Sequence, residues 1–168
     1  MTADRPLTPG ETTLARSVFG DAIDYAPVRI ARRKWAFFQP RETVMAPMGH
    51  IHFHPLGTRY RDDFAAAPLA DQGLFIHEMT HVWQAQQRGR WYLPLMRHPF
   101  CRYDYAWQPG KPLGAYGIEQ QAEIVRHAFL SRHGWRLDGR PGLAAYDAVL
   151  ANGLSGVQRR APTNSLLR

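Results

Sequence analysis

The sequence contains little of several features that define large classes of proteins. Cys101 is the single cysteine among 168 residues, so no internal disulfide can form, and a lone thiol among aromatic residues more often packs than reacts. No apolar run approaches the roughly 18 residues of a membrane-spanning helix, so we expect no membrane span. Lysine is almost absent, because only Lys34 and Lys111 accompany the arginines among 21 basic residues.

The net charge of +7 therefore rests on arginine, and such charge can attract nucleic acid or an acidic surface. The arginines are scattered along the chain, and no nucleic-acid-binding motif accompanies them. We predict a solvated basic surface and no specific nucleic acid. The first six residues lack the charged and then apolar pattern of a signal peptide, so we expect a cytoplasmic protein or one exported without a classical signal peptide.

The length and a hydrophobic content of 45% are sufficient for one domain with a proper core. We predict a flexible N-terminus over residues 1–7 and a single domain over residues 8–151. Over residues 152–168 the composition becomes small and polar, which is typical of a mobile tail.

Local signals within this domain predict a mixture of helices and short strands. Thr8-Pro9-Gly10-Glu11 is typical of a capping box, and the helix that it opens should end at Gly20. Short strands are expected at residues 25–30 and 49–54, and a short helix near residues 143–150. We therefore predict an α+β fold with a small sheet.

The most informative motif is His77-Glu78-x-x-His81. Two histidines four residues apart share one face of a helix, so both rings can reach one metal ion. The adjacent Glu78 is placed to take a proton from a water bound to that metal. The motif thus predicts two zinc ligands and a general base on one helix; the alternative is two ordinary histidines beside a solvated glutamate.

The residues around this motif favour a buried helix. We expect the helix to begin with Asp71 as its cap, to continue to Arg88 and to end at Gly89. A solvated Glu78 fits poorly in such surroundings, because the motif is flanked by Leu74, Phe75, Met79, Val82 and Trp83.

A second predicted helix, from about Gly117 to His133, carries two carboxylates on one face. Glu119 and Glu123 are four residues apart among apolar neighbours, and paired carboxylates repel unless a cation or a donor compensates them. A zinc ion on Glu119, with Glu123 hydrogen-bonded to the other nitrogen of a ligand histidine, would compensate both. A surface pair of carboxylates on an amphipathic helix is the alternative.

The two motifs together resemble the gluzincin group of zinc metallopeptidases. Over most of residues 8–130 the chain also resembles small bacterial proteins described as Vgr-related or associated with Rhs elements, through residues 14–20, residues 45–55, the HEMTHVWQ run and the EQQAEIV run. The resemblance implies a zincin-like domain in which His77, His81 and Glu119 bind Zn²⁺ and Glu123 supports a ligand histidine. Glu123 stands where Asp is frequent in gluzincins.

The expected strand at residues 49–54 carries His50, His52 and His54 on one face. Three interpretations are open: a second metal site, a half-exposed strand with its histidines in solvent, or an edge strand that pairs with an extended substrate beside the metal helix. We favour the third interpretation, in which the three histidines line the substrate groove.

A donor must also stabilise the oxyanion that forms opposite Glu78. Residues 90–116 form a long aromatic segment rich in Pro and Gly, and loops of that length usually carry function. We predict Tyr105 or Tyr116 in this role; the sequence also offers Tyr103, His98 and His127.

These observations predict a zinc metallopeptidase in which Glu78 is the general base for a metal-bound water that attacks a peptide carbonyl. A peptide or protein is then the substrate. The alternative is a non-catalytic zinc-binding accessory protein of a Vgr/Rhs, type VI secretion-related locus, with a secretion-system partner. Hydrolysis of a non-peptide amide, such as cell-wall material, is a third possibility.

Overall fold

The structure is a computed structural model that describes residues 4–96 and 102–154. It is a mixed α+β domain with a three-stranded sheet, which confirms the predicted class. In chain order its elements are β1 (Arg5–Pro6), α1 (Pro9–Phe19), β2 (Arg29–Ala31), β3 (Ile51–His52), a 3₁₀ turn (Phe64–Ala66), α2 (Leu69–Arg88), α3 (Tyr92–Met96), a second 3₁₀ turn (Leu113–Ala115), α4 (Ile118–Arg132) and α5 (Leu143–Gly153). None of the described helices is long and apolar enough to cross a membrane.

A buried glutamate joins the first strand to the first helix. The Thr8 hydroxyl accepts the Glu11 backbone N–H, and the Glu11 carboxylate accepts that of Thr8, so the predicted capping box is present. Both oxygens of Glu11 also accept from the Arg5 guanidinium at 2.8 Å. This ion pair and the pairing of β1 with β2 hold Arg5 and Pro6, so a short strand lies within the segment over residues 1–7 that the sequence predicts to be flexible.

The sheet is small and its strands are shorter than the sequence predicts. β1 runs antiparallel to β2, and β2 runs parallel to β3. At the outer side of β3, Met45 exchanges two backbone hydrogen bonds with His52. Ile51 and Phe53 enter the core, and Phe53 stacks in a series of rings with Phe64 and Phe75, which carries the packing from the sheet to α2.

The long helix α2 packs mainly against α4. The helices approach closely at Gly73, where an added Cβ would lie 3.0 Å from the Leu130 side chain. α2 begins at Leu69 after Pro68, so the prediction that Asp71 caps it is wrong. Asp71 lies in the first turn, where its negative charge interacts favourably with the helix dipole. Its carboxylate also forms an ion pair with Arg61 at 2.9 Å.

The other helix ends agree with the sequence in most places. Gly89, with φ of +94°, follows the last residue of α2 as predicted. Part of the expected loop at residues 90–116 is helical, because it contains α3 and a 3₁₀ turn. His98, Cys101 and residues 155–168 of the expected tail lie outside the described residues.

Candidate metal centre

α2 and α4 bring together the three ligands that the sequence predicts. His77 and His81 lie one turn apart on α2, and Glu119 lies in the first turn of α4. Oε2 of Glu119 lies 3.3 Å from Nε2 of His77 and 3.1 Å from Nε2 of His81. All three side chains are buried, and among the described residues this is the one group of His, Cys, Asp and Glu whose ligand atoms, within 4.8 Å of one another, could hold a metal ion.

A chain of side-chain amides fixes the orientation of His81. Nδ1 of His81 lies 2.8 Å from Oε1 of Gln84. The Gln84 amide nitrogen donates to the Ile118 carbonyl and to Oε1 of Gln121, and Gln121 donates in turn to the Tyr116 carbonyl. Because these bonds leave the Gln84 oxygen as an acceptor, Nδ1 of a neutral His81 carries the proton and Nε2 presents its lone pair to Glu119.

Glu123 has the corresponding place beside His77. Oε1 of Glu123 lies 2.8 Å from Nδ1 of His77, so Nε2 of the neutral ring faces Glu119. Burial lowers the pKa of His77, but the carboxylates of Glu119 and Glu123 outweigh it and raise the pKa to about 9. A proton on His77 therefore compensates this cluster at neutral pH when no metal is bound.

The donor set fits a bound cation. Two imidazole nitrogens and one carboxylate oxygen converge with their lone pairs towards one another, and such an arrangement is unfavourable unless positive charge lies between them. Neutral imidazole and carboxylate are ordinary metal ligands, and the partners on Nδ1 hold both rings in the tautomer that a metal needs. His77, His81 and Glu119 can therefore hold a metal ion.

Glu78 is buried beside these ligands, with only 4% of its surface exposed. Its Oε2 has no hydrogen-bond partner among the described residues. The charge of Glu78 helps to raise the pKa of His77, as Glu119 and Glu123 do. The Glu78 carboxylate therefore lies close enough to the cluster to act on it electrostatically. A buried carboxylate with one uncommitted oxygen is suited to accept a proton.

A second hydrogen-bonded chain extends from Glu123 away from the metal ligands. Oε2 of Glu123 lies 3.2 Å from Nε2 of His127. Nδ1 of His127 lies 2.7 Å from the Tyr105 hydroxyl, which lies 2.7 Å from that of Tyr146. Burial raises the pKa of Glu123, but His127 and His77 outweigh burial and hold the pKa well below its usual range. Glu123 is therefore a fixed negative charge.

The hydrogen bonds of Tyr105 and Tyr116 bear on the roles predicted for them. The Tyr105 hydroxyl is occupied by His127 and Tyr146, and the Tyr116 hydroxyl accepts from the backbone N–H of Gln108. The Tyr105 hydroxyl is therefore committed to this chain of side chains, whereas the Tyr116 hydroxyl keeps its own proton to donate, and the oxyanion role stays a prediction for both. Another candidate does contact the ligands: the Tyr103 ring stacks on His77 with centroids 6.1 Å apart, and 48% of it is exposed.

The histidines of the β3 region do not form the open edge that the sequence suggests. His52 pairs with Ala31 on one side and with Met45 on the other, so the backbone edge is closed there. His52 and His54 are buried, which excludes the half-exposed interpretation for these two rings. Burial is the main cause that lowers the pKa of His50, His52 and His54. The neighbouring charges that also shift these pKa values include Asp4, Arg29, Arg33, Lys34, Arg41, Glu42 and Arg90.

A cleft of about 470 Å³ reaches the cluster at Glu119. It lies between the end of α2, α3 and the start of α4. Arg88 and Arg102 place positive charge in its wall, and Tyr92 and Ile118 are among its apolar lining. A substrate could approach Glu119 through this cleft, whose lining includes Glu119 but neither ligand histidine.

Sequence reasoning missed Gln84 and Gln121, which together fix His81. One signal was available, because Gln84 lies three residues after His81 and therefore on the same helix face. Gln121 gave no such signal, since its contact with Gln84 joins two helices.

Comparison with models of protein families finds no match. The chain is 44% identical over 140 residues to the type VI secretion system spike protein VgrG2b of Pseudomonas aeruginosa. The aligned region covers 78% of this chain but only 13% of the length of the spike protein. Among solved structures, the effector domain of Pseudomonas aeruginosa VgrG2b matches with a TM-score of 0.68 and 40% identity, over 89% of this chain and 83% of that domain. The Vgr-related resemblance is thus confirmed, and the chain belongs to the family of the VgrG2b effector domain.

Proposed function

We propose that this protein is a zinc-dependent hydrolase that cleaves an amide bond, in the first place a peptide bond. The observation that carries the proposal is the convergence of His77, His81 and Glu119 beside the buried Glu78, whose Oε2 has no protein partner among the described residues. A structural metal site needs no such carboxylate beside it, whereas hydrolysis needs a group that accepts a proton from water.

The ligand set suits zinc. Two imidazoles and one carboxylate are the protein ligands of several hydrolytic zinc sites, which leave a further position open. When bound, zinc would polarise the carbonyl of the substrate and lower the pKa of water at the site. The amide chain on His81 and the Glu123 carboxylate on His77 would hold the two rings in place during this chemistry.

The protein's own groups account for the proton transfers. Glu78 would accept a proton from the attacking water and deliver it to the amine that leaves when the C–N bond breaks. Tyr103, next to His77, is the tyrosine that we favour as a donor to the carbonyl oxygen as negative charge develops there. The substrate would enter through the cleft beside Glu119.

A Glu78→Gln variant tests the proposal. Gln is nearly isosteric with Glu but cannot accept the proton, so we expect full metal content, an unchanged fold and at least about a 10²-fold loss of hydrolysis. The assay is a proteome-derived peptide library with detection of new N-termini, accompanied by metal analysis by mass spectrometry. Equal turnover by both proteins would remove Glu78 from the mechanism; cleavage of cell-wall fragments alone would change the substrate class.

A second candidate is supported by the relation to VgrG2b. A domain family that includes part of a type VI secretion spike protein fits a secretion-system partner and export without a classical signal peptide. In this alternative the protein is a non-catalytic accessory factor whose metal site has a binding or structural role. Inactivity of both wild type and Glu78→Gln on peptide and cell-wall libraries, with metal present in both, would favour it.

A further inference from the structure

The loop between β2 and β3 carries an exposed aromatic tip that the proposed hydrolytic site does not use. Phe37 is 89% exposed and Phe38 is 60% exposed. Burial of each ring away from water would be strongly favourable, so an exposed pair requires an explanation. We define Phe37 and Phe38 as the aromatic tip.

The aromatic tip is held rigidly. The rings of Phe37 and Phe38 meet edge to face at 5.3 Å, and Phe38 contacts Trp35 in the same manner. At the base of the loop, Gln39 is buried: its oxygen accepts from the Trp35 backbone N–H, and its amide donates to the carbonyls of Thr43 and His52. A loop fastened to the sheet in this way loses little conformational freedom when its tip is buried by a partner.

Four cations flank the tip in the sequence. Arg32, Arg33, Lys34 and Arg41 lie between residues 32 and 41 and are exposed. The neighbouring carboxylates already have partners, since Asp4 binds Arg33 at 2.6 Å and Glu42 accepts from Thr58. Among the described residues no carboxylate lies within ion-pair distance of the other three cations, although Arg32 lies over the Tyr60 ring at 5.2 Å and Nζ of Lys34 donates to the Phe37 carbonyl.

Another apolar side chain accompanies this loop. Leu56 is 67% exposed, and the next residue, Gly57, packs so closely on the Arg41 carbonyl that a Cβ there would lie 2.1 Å from it. The turn that contains Leu56 is therefore adjacent to the basic loop. The combination is two rings and an aliphatic side chain bordered by cations.

We propose that this loop binds the surface of a bilayer that contains anionic lipid, with Phe37 and Phe38 inserted at the level of the headgroups. Aromatic side chains favour that interfacial layer, and arginine and lysine beside them bind anionic headgroups. A net charge of +7 adds long-range attraction to such a surface. An uncharged protein groove would cover the rings but offer no counter-charge to these basic side chains, whereas an anionic bilayer surface does both.

The test is sedimentation of the full chain with vesicles at about 0.15 M salt, where weak long-range attraction is screened. The vesicles contain equal parts of phosphatidylglycerol and phosphatidylcholine, or phosphatidylcholine alone. We expect binding to the anionic vesicles and at least about ten-fold weaker partitioning to the neutral ones. Phe37→Ser/Phe38→Ser should lower partitioning to anionic vesicles by at least about ten-fold, and Lys34→Gln/Arg41→Gln should also lower it.

The matched control is Leu95→Ser, which removes a side chain that is 79% exposed on α3, outside the loop. It should bind anionic vesicles as the wild type does. Because the tip is exposed, its double variant should keep the wild-type melting temperature, so that a loss of binding is not a loss of fold. Failure of the wild type to sediment, equal sedimentation of the tip variant, or an equal loss in Leu95→Ser would each overturn the proposal.

Discussion

Replacement of Glu123 measures how strongly the support of His77 contributes to metal binding. Oε1 of Glu123 lies 2.8 Å from Nδ1 of His77, at ion-pair distance, and a metal-bound His77 would donate a charge-assisted hydrogen bond to it. Such a bond contributes about 1.5–3 kcal/mol and a neutral one about 0.5–1.5 kcal/mol. Glu123→Gln keeps an acceptor but loses the charge, so we expect a loss of roughly 1.4 kcal/mol, about ten-fold in Kd.

Glu123→Ala removes the acceptor itself, and the expected loss is about 10–100-fold, as for other groups that orient a metal ligand. Glu119→Ala should go further and abolish stoichiometric binding, because it deletes one of the three proposed ligands. Zinc affinity is measured by competition with a chelator of known affinity, and bound metal by mass spectrometry. Glu42→Gln, an exposed carboxylate outside the ligand cluster, is the control and should bind as wild type.

Two results would refute this reasoning. If Glu123→Ala bound zinc as tightly as the wild type, the contact with His77 would have no role in metal binding. If Glu119→Ala kept full occupancy while Glu123→Ala lost it, the two carboxylates would have exchanged roles, and Glu123 would be the ligand.

Three further predictions concern residues whose contacts the structure reveals. Gln84→Leu removes the acceptor for Nδ1 of His81 and should weaken zinc binding about 10–100-fold in the same competition assay; unchanged affinity would show that the amide chain is not needed. Glu11→Ala leaves Arg5 without its buried partner and removes the carboxylate half of the capping box, so urea denaturation should show a loss of about 3 kcal/mol or more in the free energy of unfolding. Burial, and then the charge of Arg33, lower the pKa of His52 to about 4. Between about pH 6.5 and 4 the unfolded chain therefore binds a proton at His52 that the folded protein does not bind. The free energy of unfolding should therefore fall between about pH 6.5 and 4, by roughly 1–2 kcal/mol once solvent screening is allowed for, and His52→Gln should reduce that slope.

The sequence could indicate the candidate ligands because each of the two helices carries a local signal, although the meeting of the two helices is not local. Helical spacing alone places His77 beside His81, and the same spacing places Glu119 and Glu123 on one face of α4. The capping box at Thr8 was equally readable, since all its contacts lie within four residues.

The contacts that the sequence did not predict join distant segments. Nothing within residues 1–7 shows that Arg5 will find Glu11 and Tyr60. The partners of the Tyr105 hydroxyl lie 22 and 41 residues away, so its engagement with His127 and Tyr146 was not predictable from local pattern. The pairing of Met45 with His52 likewise depends on how the chain folds back beside β3.

The ligand cluster draws its members from two helices and from positions 38 residues apart in the chain. An ion bound there would belong to the folded state alone, because the unfolded chain does not bring the two helices together. The melting temperature would then depend on the free metal concentration: a hundred-fold excess over Kd adds about 2.7 kcal/mol to the free energy of unfolding. The same fold would thus be more resistant to heat and proteolysis in a metal-rich compartment than in a metal-poor one.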